Sequence, residues 1–285
     1  MINKRKRILL LGGSGYLGHA TASRFEEEMD YIVTVGDLVK PADSKYDFVE
    51  VNVLDRSIVS SVIKNNDLII NCTGQITNPI NVCFRINTAG VDNIVQAVKS
   101  HNKKLYHIST TAVYGTAKYA DENSNVNPES PYAACKSFAE YQIISNLAGE
   151  MFCILRLPNL YGKNQTKGVF AYILKSYLSD RKLHFNNDGS LSRYFLHIDD
   201  CGEAVLSAIT KNAEGIFNVT SHDSYNVKEL ITLIEKAGNV EFEKLFDPVK
   251  PIENINNLNF NAFKEATGFS PNTSLTDFIN KVYST

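Results

Sequence analysis

Residues 8–18 read ILLLGGSGYLG: four apolar residues, then glycines at 12, 13, 15 and 18. Four is too few for the roughly 7–15 apolar residues of a secretory signal. No stretch of the chain approaches the ~18 needed to cross a membrane. The run reads instead as a buried strand cut off by a turn. Gly12, Gly15 and Gly18 have G-x-x-G-x-x-G spacing and lead into a helical stretch. That arrangement suits a dinucleotide. A tight turn takes backbone angles that side chains disfavour. The free N–H groups and the dipole of a helix N-terminus attract a pyrophosphate. Tyr16 and Leu17 open the helix and join Gly12 and Gly15 as expected cofactor contacts. Asp37 ends the next apolar run about 20 residues on, where a carboxylate bonds ribose hydroxyls. It also repels a 2′-phosphate, so NAD is favoured over NADP. Lys40 close by weakens that discrimination.

The whole chain sets the frame. It has 285 residues, 44% hydrophobic and 21% charged, with a formal net charge of −2. This is ordinary globular composition. The near-neutral balance argues against a nucleic-acid or membrane-surface partner. The basic run Lys4 to Arg7 is read as a solvated strand start, not a nucleic-acid patch. Cys72, Cys83, Cys135, Cys153 and Cys201 are scattered, odd in number and without C-x-x-C spacing. They point to a reducing compartment, the cytoplasm, and to no metal site.

Outward from the glycine turn, strand and helix signals alternate. RILLL, YIVTVG, YDFVEV, DLIINC, KLYHIS and MFCILRL read as strands. GYLGHATASRFEEE, RSIVSSVIKN, RINTAGVDNIVQAVKSH and SPYAACKSFAEYQIISNLAGE read as helices. The strands are continuously apolar, as when helices cover both faces of a sheet. The fold class expected is α/β, a doubly wound parallel sheet with helices on both faces. A cofactor-binding domain is placed at 1–160. A smaller, mainly substrate-binding domain is placed at 161–285, with some segments returning to the sheet. The Asn-rich ENINNLNFN is read as a loop.

A second constellation lies at the end of KLYHIS. STTAVYG is followed by SPYAACK, in which Tyr132 and Lys136 are four apart on one helix. Such residues share a face. A phenol near pKa 10 is a poor acid–base catalyst at neutral pH, and a nearby cation lowers its pKa. Tyr132 would then exchange a proton with a substrate oxygen, and the Thr110 hydroxyl would hydrogen-bond the same oxygen. Hydride transfer to a nicotinamide completes a redox step.

With these residues in place, the chain resembles the extended short-chain dehydrogenase/reductase family, also labelled NAD-dependent epimerase/dehydratase, which adopts a Rossmann fold. The likeness runs through GGSGYLG, Asp37, VNVLD, NCTG, Asn87, STTAVYG, SPYAACK, LRLPNLYG, GSLSRYFLHIDD, FNVT and ATGFSPNTSL. It implies a catalytic set of Thr110, Tyr132 and Lys136, with Lys136 also gripping the nicotinamide ribose. It adds Asn52 and Val53 beside the adenine, although the first is usually Asp. Cys72, Thr73 and Gly74 would pass under the cofactor, Asn87 would support the site, and Ser109 would stand beside Thr110. Thr110, Thr111, Asn159 and Arg193 would hold a nucleotide-sugar substrate, the last two at its diphosphate, where a guanidinium fork suits phosphate. Lys250 and Glu253 match loosely where relatives often have Arg and Asp near the substrate. His197 reads as a packed strand histidine. Family members are often dimers through a helix bundle, which implies a homodimer.

One departure bears on the reaction. Thr111 and Ala112 stand where the family's 4,6-dehydratases place acids, and neither can act as a carboxylate. The expected activity is reduction of a 4-keto-6-deoxy sugar nucleotide. The alternative is a nucleotide-sugar 4-epimerase that recycles tightly held NAD. A non-catalytic cofactor-binding protein is the third reading, disfavoured because Tyr132 and Lys136 are both kept.

Overall fold

The computed structural model describes residues 5–41, 45–75, 77–222 and 224–283. The expectation for Lys4 lies outside them. The first strand, β1 (Lys6–Leu11), is the heart of the molecule. Ile8, Leu9, Leu10 and Leu11 are completely buried. Ile8 and Leu10 pack into one hydrophobic layer and Leu9 and Leu11 into the opposite one. Burial of each side chain is worth about 1.5–3 kcal/mol, so a strand with two apolar faces is stable only between two helical layers.

The first half then runs α1 (Tyr16–Arg24), β2 (Tyr31–Asp37), β3 (Asp47–Glu50), α2 (Arg56–Lys64), β4 (Leu68–Asn71), α3 (Ile80–Arg85), α4 (Val91–Ser100), β5 (Lys104–Thr110), α5 (Pro131–Asn146) and β6 (Phe152–Leu157). The second half runs β7 (Asn159–Tyr161), α6 (Val169–Tyr177), β8 (Lys182–Phe185), β9 (Ser192–His197), α7 (Ile198–Thr210), β10 (Gly215–Asn218), β11 (Ser224–Asn226), α8 (Val227–Gly238), β12 (Glu243–Phe246), α9 (Asn261–Thr267) and α10 (Leu275–Tyr283). The main sheet is seven-stranded, with order β10-β6-β5-β4-β1-β2-β3. All its pairings are parallel. The chain order reverses between β1 and β4, which opens a crevice at their C-terminal ends.

Two helices differ from the sequence expectation. The first ends at Arg24 instead of running through the glutamates. The Phe25 ring turns inward against Tyr31, 5.4 Å between centroids, and the chain reverses there. The long helix expected over RINTAGVDNIVQAVKSH begins earlier, at Ile80, and is broken. Residues Ile86–Gly90 form a π-helical turn between α3 and α4.

β10 lies in the main sheet, and α7 packs on α1. A three-stranded sheet, β11-β9-β7, and a two-stranded one, β12-β8, are separate. They share a core with α6, α8 and α10, built on Tyr161, Phe170, Phe195, Leu230 and Ile279. His197 belongs to this packing, 5.1 Å from the Tyr161 ring, and its Nδ1 accepts the Asp199 N–H. The Asn-rich segment is not a free loop. Backbone bonds tie it to Ala117 and Ala120, and Ile255 and Leu258 are buried beneath it.

Candidate active site

A cleft of about 730 Å³ opens where the main-sheet strands end. The glycine turn forms its floor. Gly12 has φ +77°, and a Cβ there would stand 3.0 Å from the backbone of Cys72 and Thr73. A Cβ on Gly18 would stand 2.2 Å from the Gly12 carbonyl oxygen. The turn therefore folds against both β4 and its own helix only with glycine. No side chain caps α1 at Gly15, and its first turn holds no acid. The N–H groups at this helix start are left for an anion. Asp37 closes the far side: its Oδ2 accepts the Ser14 N–H at 3.0 Å and its Oδ1 the Leu38 N–H at 2.7 Å. The Tyr16 hydroxyl is buried at the cleft wall with no hydrogen-bond partner among the described residues. A bare helix start, a carboxylate and an orphaned hydroxyl in one concavity fit a dinucleotide.

Asn52, Val53, Cys72, Thr73, Gly74, Ser109 and Asn159 also line the cleft. Asn87 sits behind it, fully buried in the π turn. Its Nδ2 donates to the carbonyls of Gly74 and Cys83 at 3.1 and 3.0 Å, so it holds the floor from below. The Ser109 hydroxyl points away into the protein and donates to Glu140. Glu140 is paired with Arg156 at 2.6 Å, both buried.

Thr110 is the last residue of β5, and its Oγ1 accepts the Ala112 N–H at 3.2 Å. Tyr132 opens α5 behind the Ser130 cap and Pro131. Both line the same wall. Lys136 lies one turn further along α5. Its Nζ is buried, donates to the Ile108 carbonyl at 2.6 Å and lies 3.4 Å from His107 Nε2. Burial lowers the Lys136 pKa to about 8. The Tyr132 phenol is pushed above its ordinary value, first by burial and then by Cys83 and Glu253.

Arg193 and Thr111 stand outside the cleft lining. The Arg193 guanidinium is bound to Glu253, donating to its backbone carbonyl and lying 3.4 Å from its Oε2. Thr111 is buried in the turn after β5. Conversely, Gln75, Arg85 and Lys167 line the cleft and carried no signal in the sequence. Gln75 follows the NCTG motif directly. Arg85 and Lys167 are single charges in stretches without a pattern. Among the described residues, no group of three or more His, Cys, Asp or Glu side chains could hold a metal ion.

Comparison with known proteins now decides the family. The model of the NAD dependent epimerase/dehydratase family matches residues 8–220. The chain belongs to this family. It is therefore an enzyme of the nucleotide-sugar epimerase and dehydratase type. A protein provisionally named UDP-glucose 4-epimerase from Methanocaldococcus jannaschii is 28% identical, over 96% of each chain. A UDP-N-acetyl-alpha-D-glucosaminuronate decarboxylase from Bacillus cytotoxicus is 25% identical, over 95% of this chain and 94% of its own. The crystal structure of UDP-glucuronic acid 4-epimerase from Bacillus cereus with UDP-glucuronic acid and NAD superposes with a TM-score of 0.83. It is 22% identical, covers 97% of this chain and 98% of that one, and shows the shared fold. The doubly wound expectation is borne out. Among the described residues no helix is long and apolar enough to cross a membrane.

Proposed function

We propose that the protein is a 4-epimerase of a UDP-linked hexose that keeps and recycles NAD. One observation carries this reading. The Thr110 and Tyr132 hydroxyls share a cleft wall with the glycine turn and Asp37, while positions 111 and 112 offer no carboxylate. That set serves oxidation and reduction at one carbon and lacks the acids for elimination. Two of the relatives above are named as 4-epimerases, which moves the preference from the reductase to the epimerase.

In this reading the glycine turn and the α1 start hold the pyrophosphate, and Asp37 holds the adenosine ribose. Bound NAD supplies the chemistry of accepting a hydride from C4 of the sugar and giving it back. Tyr132, once ionised to the phenolate, would take the C4 hydroxyl proton as the hydride leaves and return it to the keto oxygen afterwards. Thr110 donates a hydrogen bond to that oxygen as charge develops on it. Between the two halves the sugar turns over while the protein keeps hold of the nucleotide. The hydride and the proton each leave and return once, so no cofactor is consumed.

The assay incubates the protein with UDP-glucose or UDP-glucuronic acid and resolves the C4 epimers by chromatography. Parallel reactions supply NADH and 4-keto-6-deoxy nucleotide sugars and follow nicotinamide absorbance. Epimer formation without net cofactor change is expected, and Tyr132→Phe abolishes it. Stoichiometric NADH oxidation with no epimer formed replaces the epimerase reading with the reductase.

The second copy expected from the family has a surface to use. On α5, Phe138, Tyr141 and Ile144 are exposed, as are Ile80 and Phe84 on the adjoining α3. Tyr141 is 65% and Phe84 57% exposed. A homodimer through this face predicts that Tyr141→Arg yields monomer in light scattering. A wild-type protein that is already monomeric removes the dimer.

A further inference from the structure

Gln75 follows β4 at the cleft wall and meets Tyr132 and the carbonyl that Lys136 also holds. Its Oε1 accepts the Tyr132 hydroxyl at 2.5 Å. Its Nε2 lies 3.5 Å from the Ile108 carbonyl, the same oxygen that Lys136 Nζ holds at 2.6 Å. The orientation of the amide follows from its partners. A backbone carbonyl only accepts, so the Gln75 nitrogen faces Ile108 and its oxygen faces the phenol. An amide oxygen only accepts as well. The proton between Gln75 and Tyr132 must therefore be the tyrosine's own.

We infer that Gln75 is a positioning residue for the acid/base: it aims the Tyr132 hydroxyl away from the substrate space and keeps its proton in place until substrate competes for it. The inference rests on the reading of Tyr132 given above. Tyr132 and Lys136 are then connected through Gln75 and one carbonyl, not by direct contact. Lys136 itself is backed by His107, whose Nδ1 meets the Asn71 amide at 3.1 Å. Asn71 Oδ1 accepts from both the backbone N–H and the hydroxyl of Thr73, at 3.0 and 2.6 Å, so its Nδ2 is the atom left for His107. His107 thus accepts on Nδ1, and its pKa is held well below 6.5 by burial and by Lys136.

The groups around Tyr132 act in one direction. Cys83 on α3 and Glu253 in the C-terminal segment both raise its pKa, on top of burial. Arg193 is spent on Glu253. On its own helix, Cys135 has its own pKa raised by burial, to about 11, and Lys136 is directed at Ile108. A hydrogen bond accepted from the neutral phenol adds to the same trend. Removing the acceptor lowers the pKa, and replacing it with a carboxylate raises it.

The test follows the phenolate absorbance of the NAD-loaded protein against pH, with Tyr132→Phe as the blank. Gln75→Leu is expected to move the Tyr132 midpoint down by about one pH unit, and Gln75→Glu to move it up. Gln75 is exposed, so both variants keep the fold, and their NAD affinity is measured alongside. Equal midpoints in the three proteins overturn the inference. So does a Gln75→Leu midpoint above wild type. The readout needs no turnover, so it stands apart from failure of the epimerase assay.

Discussion

Substituting Gly18 with alanine tests the glycine turn at its tightest point. The new methyl would lie 2.2 Å from the Gly12 carbonyl oxygen and 2.6 Å from the Gly13 Cα, against about 3.4 Å for ordinary contact. All of these obstacles are backbone, so no side chain can swing aside. The α1 start and the turn must separate by roughly 1 Å. Overpacking of this kind costs about 1–3 kcal/mol. For a chain of this size that lowers Tm by about 2 °C for each kcal/mol. The same separation pulls the N–H groups of the helix start away from the turn. Dinucleotide affinity should then fall at least tenfold, which is about 1.4 kcal/mol. Calorimetry gives the first quantity, and titration with NAD the second. Gly149→Ala is the control, because nothing lies within 4 Å of a Cβ there. Unchanged Tm and unchanged NAD affinity in Gly18→Ala, matching the control, would refute the assignment of the turn as the pyrophosphate cradle.

Asp37→Ala removes the carboxylate that repels a 2′-phosphate, so NADP affinity relative to NAD should rise at least tenfold, about 1.4 kcal/mol, in competitive titration. Lys136→Met should change the pH dependence of stability. The folded pKa of about 8 lies below the unfolded 10.5, so between these values the unfolded chain holds more protons and stability gains with rising pH. Wild type should therefore gain stability relative to Lys136→Met across that window, as read by urea unfolding, and a flat difference contradicts the burial of a cation there. Glu140→Gln leaves the buried Arg156 guanidinium uncompensated and should cost about 3–5 kcal/mol in the same assay.

How much of this was legible in the sequence depends on the range of the interaction. β1 could be read because its burial on both faces is a property of consecutive residues, and the glycine turn because its spacing is local. The break at Ile86–Gly90 could not. Its apolar positions continue a helix, and the turn is stabilised by Asn87 bonding the Cys83 carbonyl and by Thr88 Oγ1 bonding that of Phe84. Those are side-chain choices that an ordinary helix also tolerates. The site divides in the same way. Thr110 and Tyr132 were found because each sits at an element end with a motif around it. Arg193 was expected at the substrate's diphosphate from the resemblance to the family, and in the structure its guanidinium is held by Glu253, sixty positions on. Gln75 was passed over because its partners, Tyr132 and Ile108, are set by the crossing of β4, β5 and α5.

That crossing also explains why charged groups are buried so near the cleft. The apolar layer that α5 shares with β5, built on Leu105, Ala139 and Ile143, is attractive but non-directional. Such a layer tolerates small slides of the helix along the sheet. Two polar contacts remove that freedom. Lys136 is fixed to the Ile108 carbonyl, and Glu140, one turn later, is fixed to Ser109 and to Arg156, whose strand pairs Ser109 with Arg156 in register. Hydrogen bonds fail steeply with angle and distance, so a helix held at both points can neither rotate nor slip. Thr110 ends the strand so gripped, and Tyr132 begins the helix. The separation of the two hydroxyls is therefore set by buried contacts behind the cleft wall. An apolar substitute for the Glu140–Arg156 pair could be equally stable, yet it would leave α5 free to slide and Tyr132 displaced with it.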